Sequence, residues 1–538
     1  MAQRNDTSGA IAGVTVPLFS LRSAQGWGVG EILDLPAFAR WMAESAGLKL
    51  VQILPLGEIS GTETSPYAAL SAFGIDWLYL SMAALEDLPE HALREALGGD
   101  MGLSLLRKVQ QSKTVDYPAI RLVKRRALQW AWQQFSREHL GHETDRAQSF
   151  DAFCMDERSW LEDYALFRAI KDAREGEPWW KWEAPLRDRE PKALDAARNE
   201  LQIHTGFYKY CQWIAHTQWA QTRESLHDSG LEVMGDLPFM VGRDSADVWS
   251  HQREFRLDKN VGVPGDQFDP EGQDWGLPPY KWDAMRANDF AWLRRRARYA
   301  GSLYDRFRVD HLVGFYRTYM RPLQSRDARG RLVEGTFDPV DARSQQAHGE
   351  RVVAAMKTSA LERGATLIAE DLGTVPEWVR PSLAKLDVPG YKVLIWEKDS
   401  RGEFKNPSEF AKRTVSALGT HDTDSCVTWW ETRDPAERAA FARLALVRDR
   451  AESLTAKFDG AVHRALLDVI LSAGSELCLL LVQDVLSLRD RINVPGTVGP
   501  HNWTWRLPAP PEDLRATATV AGSTARVREA VRRSHRGD

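Results

Sequence analysis

The chain has 538 residues, 43% of them hydrophobic and 27% charged, with a formal net charge of −5, which is an ordinary globular composition with no basic excess to attract nucleic acid. No run approaches the roughly 18 uncharged apolar residues of a membrane span, and the polar start MAQRNDTSGA lacks the apolar core of a signal peptide, so a cytoplasmic protein without a membrane partner is expected. Cys154, Cys211, Cys426 and Cys478 show no CxxC spacing, which points away from a zinc ribbon or a disulfide framework. Tryptophan is abundant, with 21 residues, several beside Gly, Pro or Asp. Indole faces pack on the C–H faces of sugars as readily as they fill cores, so a carbohydrate cleft and a large core both remain open, and WWKW (Trp179 to Trp182), between charged stretches, fits a surface loop cover equally well.

In chain order, eight short apolar runs bounded by Gly, Pro or polar residues read as buried strands. They are GVTVPLFSL (Gly13 to Leu21), LKLVQILPL (Leu48 to Leu56), LEVMGDLPF (Leu231 to Phe239), DRFRVDHL (Asp305 to Leu312), TLIAEDLG (Thr366 to Gly373), GYKVLIW (Gly390 to Trp396), TVSALGTHD (Thr414 to Asp422) and LCLLLVQDVL (Leu477 to Leu486). Helical patterns such as LDLPAFARWMAESAG and RSQQAHGERVVAAMKTSALERG separate most of them, so parallel pairing is expected. The predicted fold is an α/β (β/α)8 TIM barrel, whose reactive groups lie at the C-terminal ends of the strands. Asp236, Asp310, Glu370 and Asp422 all come late in their strands, while no GxGxxG turn supports the competing doubly wound sheet.

Two interruptions exceed a minimal barrel. Residues 57–230, between the second and third strands, are mostly charged and helix-patterned, and residues 240–304, between the third and fourth, are rich in Gly, Pro, Asp and Trp. The first reads as a helical insertion and the second as a lid over the strand ends, because long irregular loops in a compact domain are usually functional. The C-terminal ARVREAVRRSHRGD reads as a basic, solvated helical end.

Alternation along RFRVDHL puts Phe307, Val309 and His311 on one face and Arg306, Arg308, Asp310 and Leu312 on the other. A guanidinium beside a carboxylate favours the ionised acid, as a covalent nucleophile in sugar chemistry requires, although a buried ion pair that pins the barrel fits equally. In IAEDLG only one of Glu370 and Asp371 can share the cleft with Asp310, and parity alone does not say which. A carboxylic acid among apolar neighbours and near a second negative charge suits a general acid. GTHDTDS offers His421 and Asp422 as a clamp for vicinal sugar hydroxyls; without HxH or HExxH spacing no metal is expected there.

Together with SPYAALSAFGIDWLYL, GDLPFMVGRDSADVW, GVPGDQFDPEGQDWGLPPYKW and QDVLSLRDRINVPGT…NWTWR, these stretches resemble the amylomaltases, or 4-α-glucanotransferases, relatives of the α-amylases. The resemblance implies transfer of α-1,4-glucan segments between maltooligosaccharides, as in glycogen, starch or maltodextrin metabolism, by a retaining mechanism without cofactor. It implies Asp310 as nucleophile, Glu370 as acid/base and Asp422 as third acid, with Arg308 and His421 beside them. Donor contacts are implied for Tyr67, Asp236 and Asp371, cover of the acceptor side for Gln273 and Trp275, and closure from the opposite edge for Asn493. The expected partners are α-1,4-glucans, and the expected state is a monomer or weak homodimer. The chain departs from the family in PGYKVLIWEKD, where PGMKVLQFAF is usual, and in YRTYMRPLQSRDARGRLVEGTFDP, which lacks a Gly-rich pattern, so chain-length preference stays open. An amylase-type hydrolase and a silent glucan-binding protein are the competing readings.

Overall fold

A computed structural model describes residues 9–61, 63–265 and 270–537. The eight expected strands all form, and they close into one parallel barrel in which each strand neighbours its sequential successor. They are β1 (Ile11–Thr15), β2 (Leu50–Gln52), β3 (Glu232–Leu237), β4 (Arg306–Val309), β5 (Thr366–Ala369), β6 (Gly390–Val393), β7 (Thr414–Ala417) and β8 (Leu477–Leu481). Each is shorter than its apolar run, because the ladder ends where the chain turns outward into a loop. In the eighth run the strand stops at Leu481 and Val482–Leu486 becomes a helical turn.

The strands' two faces build two cores. Leu50, Met234, Ile368, Tyr391, Val393, Val415, Ala417, Leu477 and Leu479 fill the barrel, while Phe307, Val309, Leu367 and Ala369 face the surrounding helices. Ile368 points inward, so Glu370, two residues on, belongs to the inward face, which answers the question that parity left open. Above the apolar layer lies a polar one: Thr15 donates to Gln52 at 2.7 Å, and Gln52 donates to the Tyr391 hydroxyl at 3.2 Å. Asp236 and Arg308 are register partners at the same level.

Between β2 and β3 run helices that include Tyr117–Glu138, Arg158–Ala173 and the 27-residue Gln202–Asp228. Between β3 and β4, Lys259–Val263 and Gln273–Asp274 join Thr318–Pro322 and Thr336–Asp338, which follow β4, in a four-stranded antiparallel sheet. That sheet is therefore shared by two loops, and residues 266–269 of the expected lid lie outside the described residues. Arg321 is buried in this sheet and donates to the carbonyls of Glu271 (2.8 Å), Val263 (3.1 Å) and Gln273 (3.2 Å), pinning the turn that carries Gln273 and Trp275.

Two surface readings give way to burial. Of the three tryptophans in WWKW, Trp179 and Trp182 are buried and only Trp180 is exposed. The C-terminal helix Ala518–Arg533 buries Val520, Val527 and Val531, and Arg536 beyond it is fully enclosed. Its guanidinium is tolerated there because it meets the carbonyls of Leu471 (2.8 Å), Ser475 (2.8 Å), Ile11 (3.3 Å) and Ala473 at the base of the barrel.

Candidate active site

At the C-terminal mouth of the barrel, the Arg308 guanidinium of β4 holds two carboxylates at once. Nη1 donates to Asp236 Oδ2 at 2.6 Å and Nη2 to Asp310 Oδ1 at 2.5 Å. Asp236 comes from β3 and Asp310 is the first residue past β4, so the inward parity of the two adjacent strands places both acids on one cation. The two anions hold the guanidinium's pKa well above its already high ordinary value. Burial raises the carboxyl of Asp236, against the pull of Arg308.

The chain of contacts continues across the mouth. Tyr67, from the loop after β2, donates its hydroxyl to Asp236 Oδ2 at 2.7 Å and lies 3.1 Å from His421 Nε2. The Tyr67 and His421 rings stack with centroids 5.7 Å apart, and Trp503 leans on both. His421 Nε2 is 3.4 Å from Asp422 Oδ2, and Asn493 Nδ2 donates to Asp422 Oδ1 at 2.6 Å. Asp310, Arg308, Asp236, Tyr67, His421, Asp422 and Asn493 thus form one polar arc, assembled from β3, β4 and the loops that follow β2, β4, β7 and β8.

Glu370 reaches the arc through the backbone of His311. Val309 and Ala369 are in register, so Asp310 and Glu370 follow side by side on neighbouring strands, about 4.8 Å apart in the hydrogen-bonding direction. The His311 N–H donates to Glu370 Oε2 at 2.7 Å and the Leu372 N–H to Oε1 at 3.0 Å. Burial, with the Asp310 charge adding to it against the pull of Arg308, raises the Glu370 pKa to about 7. Such an acid keeps a substantial protonated fraction near neutrality, as proton donation to a leaving oxygen requires.

His311 departs from the alternation read along β4. Its φ of 42° is left-handed, a conformation uncommon outside glycine. That turn aims its N–H at Glu370 and sets its ring between Phe239 and Trp275, with centroids 5.6 and 5.0 Å away. Trp275 Nε1 donates to Gln273 Oε1 at 2.9 Å, so the two expected lid residues meet each other beside His311, the residue after Asp310. Burial drops the His311 pKa to about 4, leaving the ring neutral near pH 7.

Asp371 stands apart from the arc. β5 and β6 share a single register pair, Gly390 with Ala369, and the Asp371 carboxylate fills the gap. Its Oδ1 accepts the Tyr391 N–H at 2.6 Å and its Oδ2 accepts Arg380 Nε at 2.9 Å. A Cβ on Gly390 would lie 2.7 Å from Oδ1, so only glycine lets the carboxylate approach. Alternation and motif spacing single out none of His311, Trp503 and Arg491 as site residues. Arg491 donates to the Asp422 carbonyl, but in LRDRINVP it is one charge among several with nothing to single it out.

The sequence matches the 4-alpha-glucanotransferase family, glycoside hydrolase family 77, over residues 16–511. It is 33% identical over 494 residues to a 4-alpha-glucanotransferase of Thermus thermophilus, covering 89% of this chain and 92% of that one. It is 31% identical over 515 residues to one of Chlamydia caviae, covering 93% and 91%. The fold matches an amylomaltase from Streptococcus agalactiae in complex with acarbose, with a TM-score of 0.79, 26% identity, and coverage of 98% of this chain and 100% of that one.

Proposed function

The chain belongs to the 4-alpha-glucanotransferase family, and on that premise we propose that it transfers α-1,4-glucan segments from a donor maltooligosaccharide to an acceptor sugar through a covalent glycosyl-enzyme. Asp310 attacks the anomeric carbon while Glu370 gives its proton to the departing glycosidic oxygen. Glu370 then takes a proton from the incoming sugar hydroxyl as that oxygen displaces Asp310, so two inversions return the original configuration. Asp422, His421 and Tyr67 hold the donor sugar's hydroxyls as positive charge builds at its anomeric carbon.

The observation that carries this reading is the pairing of Asp310 and Glu370. Retention asks for two carboxyls about 5 to 5.5 Å apart, close to one strand spacing, with one charged and the other able to hold a proton. In support, neighbouring positions past β4 and β5 put the two residues one strand spacing apart along the backbone, Arg308 at 2.5 Å gives Asp310 a countercharge, and burial raises the proton affinity of Glu370. Transfer rather than hydrolysis needs a site that orients a sugar hydroxyl and excludes water. The lid turn pinned by Arg321, with Trp275 against His311, and the loop of Asn493 on the opposite edge are suited to that task.

Incubation with maltotriose tests the proposal. Glucose and longer maltooligosaccharides should appear with no net gain in reducing ends. A gain in reducing ends would make the protein a hydrolase, and an unchanged sugar profile would leave it a binding protein.

A further inference from the structure

Asp422 lies five residues beyond β7, and Asn493 twelve beyond β8. The two strands' ladder ends at Ala417 and Leu479, so no sheet pairing fixes these loops against each other. Asp422 is nonetheless expected to act with the precision of a catalytic group; Asn493 holds its carboxylate, and one guanidinium holds the main chain of both loops. Arg491 Nη2 donates to the Asp422 main-chain carbonyl at 2.5 Å, Nε to the Asn493 carbonyl at 2.7 Å, and Nη1 to the Asp424 carboxylate at 2.9 Å. It grips the backbone on both sides of the 2.6 Å bond from Asn493 to Asp422 Oδ1. Among the described residues no other side chain bonds to both loops around that acid.

We propose that Arg491 is a positioning residue that sets the third acid for the transition state, an inference that rests on the reading of Asp422 as the group holding the donor sugar. The planar fork matters as much as the charge. Three donors at fixed angles meet two carbonyls and a carboxylate, whereas a lysine would bring one freely rotating ammonium. Asp422 contacts that strengthen as the sugar ring distorts raise kcat and leave ground-state binding nearly untouched. A shift of the loop by about 1 Å can cost on the order of a hundredfold in rate. The signature of positioning is therefore a fall in kcat at constant KM.

The test measures maltotriose disproportionation for Asp422→Asn, Arg491→Met, Arg491→Lys and Asp424→Asn, with the fold checked by circular dichroism and thermal unfolding. Arg491→Met should lower kcat about 30- to 100-fold with KM within about threefold. Arg491→Lys should fall between it and the parent. Asp424→Asn, which removes one arm of a partly exposed pair, should cost about three- to tenfold. If Arg491→Met does not fold, Arg491→Lys and Asp424→Asn decide by the same split. Parent-like kcat in the folded Arg491 variants, or a rise in KM with kcat kept, would overturn the inference while an inactive Asp422→Asn left the reading of Asp422 standing. An active Asp422→Asn would overturn both.

Discussion

Glu58 and Glu370 are both buried glutamates whose carboxyl pKa burial pushes upward, against the pull of a nearby arginine. Glu58 sits where the helical insertion meets the barrel, and both of its carboxylate oxygens are already bonded to neighbouring side chains. Oε1 accepts Trp77 Nε1 at 2.7 Å and Arg168 Nε at 3.1 Å, and Oε2 accepts the Tyr164 hydroxyl at 2.5 Å. Arg168 passes the network on to Tyr208, and Tyr208 to Asp172. The cleft around Glu370 uses the same residue types and leaves capacity unspent. Asp236 Oδ1 is buried with no hydrogen-bond partner among the described residues, and the side chains of Asp310 and Asp422 keep 29% and 37% of their exposure. A perturbed acid alone does not mark chemistry, since structural ion-pair networks perturb acids too. An acid with a free lone pair facing a cleft does, because a saturated network has nothing left to offer a substrate.

Three measurements can break or sharpen that contrast. The largest effect is expected for Asp310→Asn, which should lower kcat on maltotriose by about 10⁴-fold or more. Calorimetry should still detect maltooligosaccharide binding, and substantial residual turnover would remove Asp310 as nucleophile. In the saturated network, Arg168→Met strands the Glu58 carboxylate and should cost about 3–5 kcal/mol in denaturant unfolding. The rate per folded molecule should stay close to the parent's. Unchanged stability would mean that Glu58 and Arg168 do not anchor the insertion, and a selective loss of kcat would erase the contrast between the two regions.

The third effect is smaller and depends on pH. Glu370 titrates near 7 when folded, against an ordinary 4.5. A carboxyl with a raised folded pKa contributes stability that is fully present below about pH 4.5 and lost as pH rises through about 7. Glutamine has no proton to lose, so Glu370→Gln should gain on the parent between pH 5 and pH 8, by about 2 kcal/mol in denaturant unfolding. A difference that did not change with pH would refute the raised pKa. The same titration should shape the parent's rate profile, with activity falling as pH rises past about 7 and the proton donor ionises.

The site was legible in part. Asp310, Glu370 and Asp422 were readable as candidates because barrel chemistry sits at strand ends, and each follows an apolar run. Asp371 looked as good as Glu370 on spacing alone, and only the inward placement of Ile368 separated them. Asp371 instead bridges β5 and β6 where their ladder fails, a place no periodicity reveals. The lid motif was readable as a loop, but its partner strands Thr318–Pro322 and Thr336–Asp338 lie in the stretch that departs from the family pattern.

By itself the sequence determined the eight apolar runs, their alternation with helices and the late position of the acids, since strand period and burial are local properties of side-chain order. The tertiary structure alone decided which face of β5 looks inward, that His311 turns left-handed to bring its N–H to Glu370, and that Arg491 reaches back across 69 residues of chain to the Asp422 carbonyl. It also decided that Arg536 ends buried beneath the barrel. These are contacts between loops far apart in the chain, where a polar group's role depends on which donors and acceptors closure of the barrel happens to bring within about 3 Å.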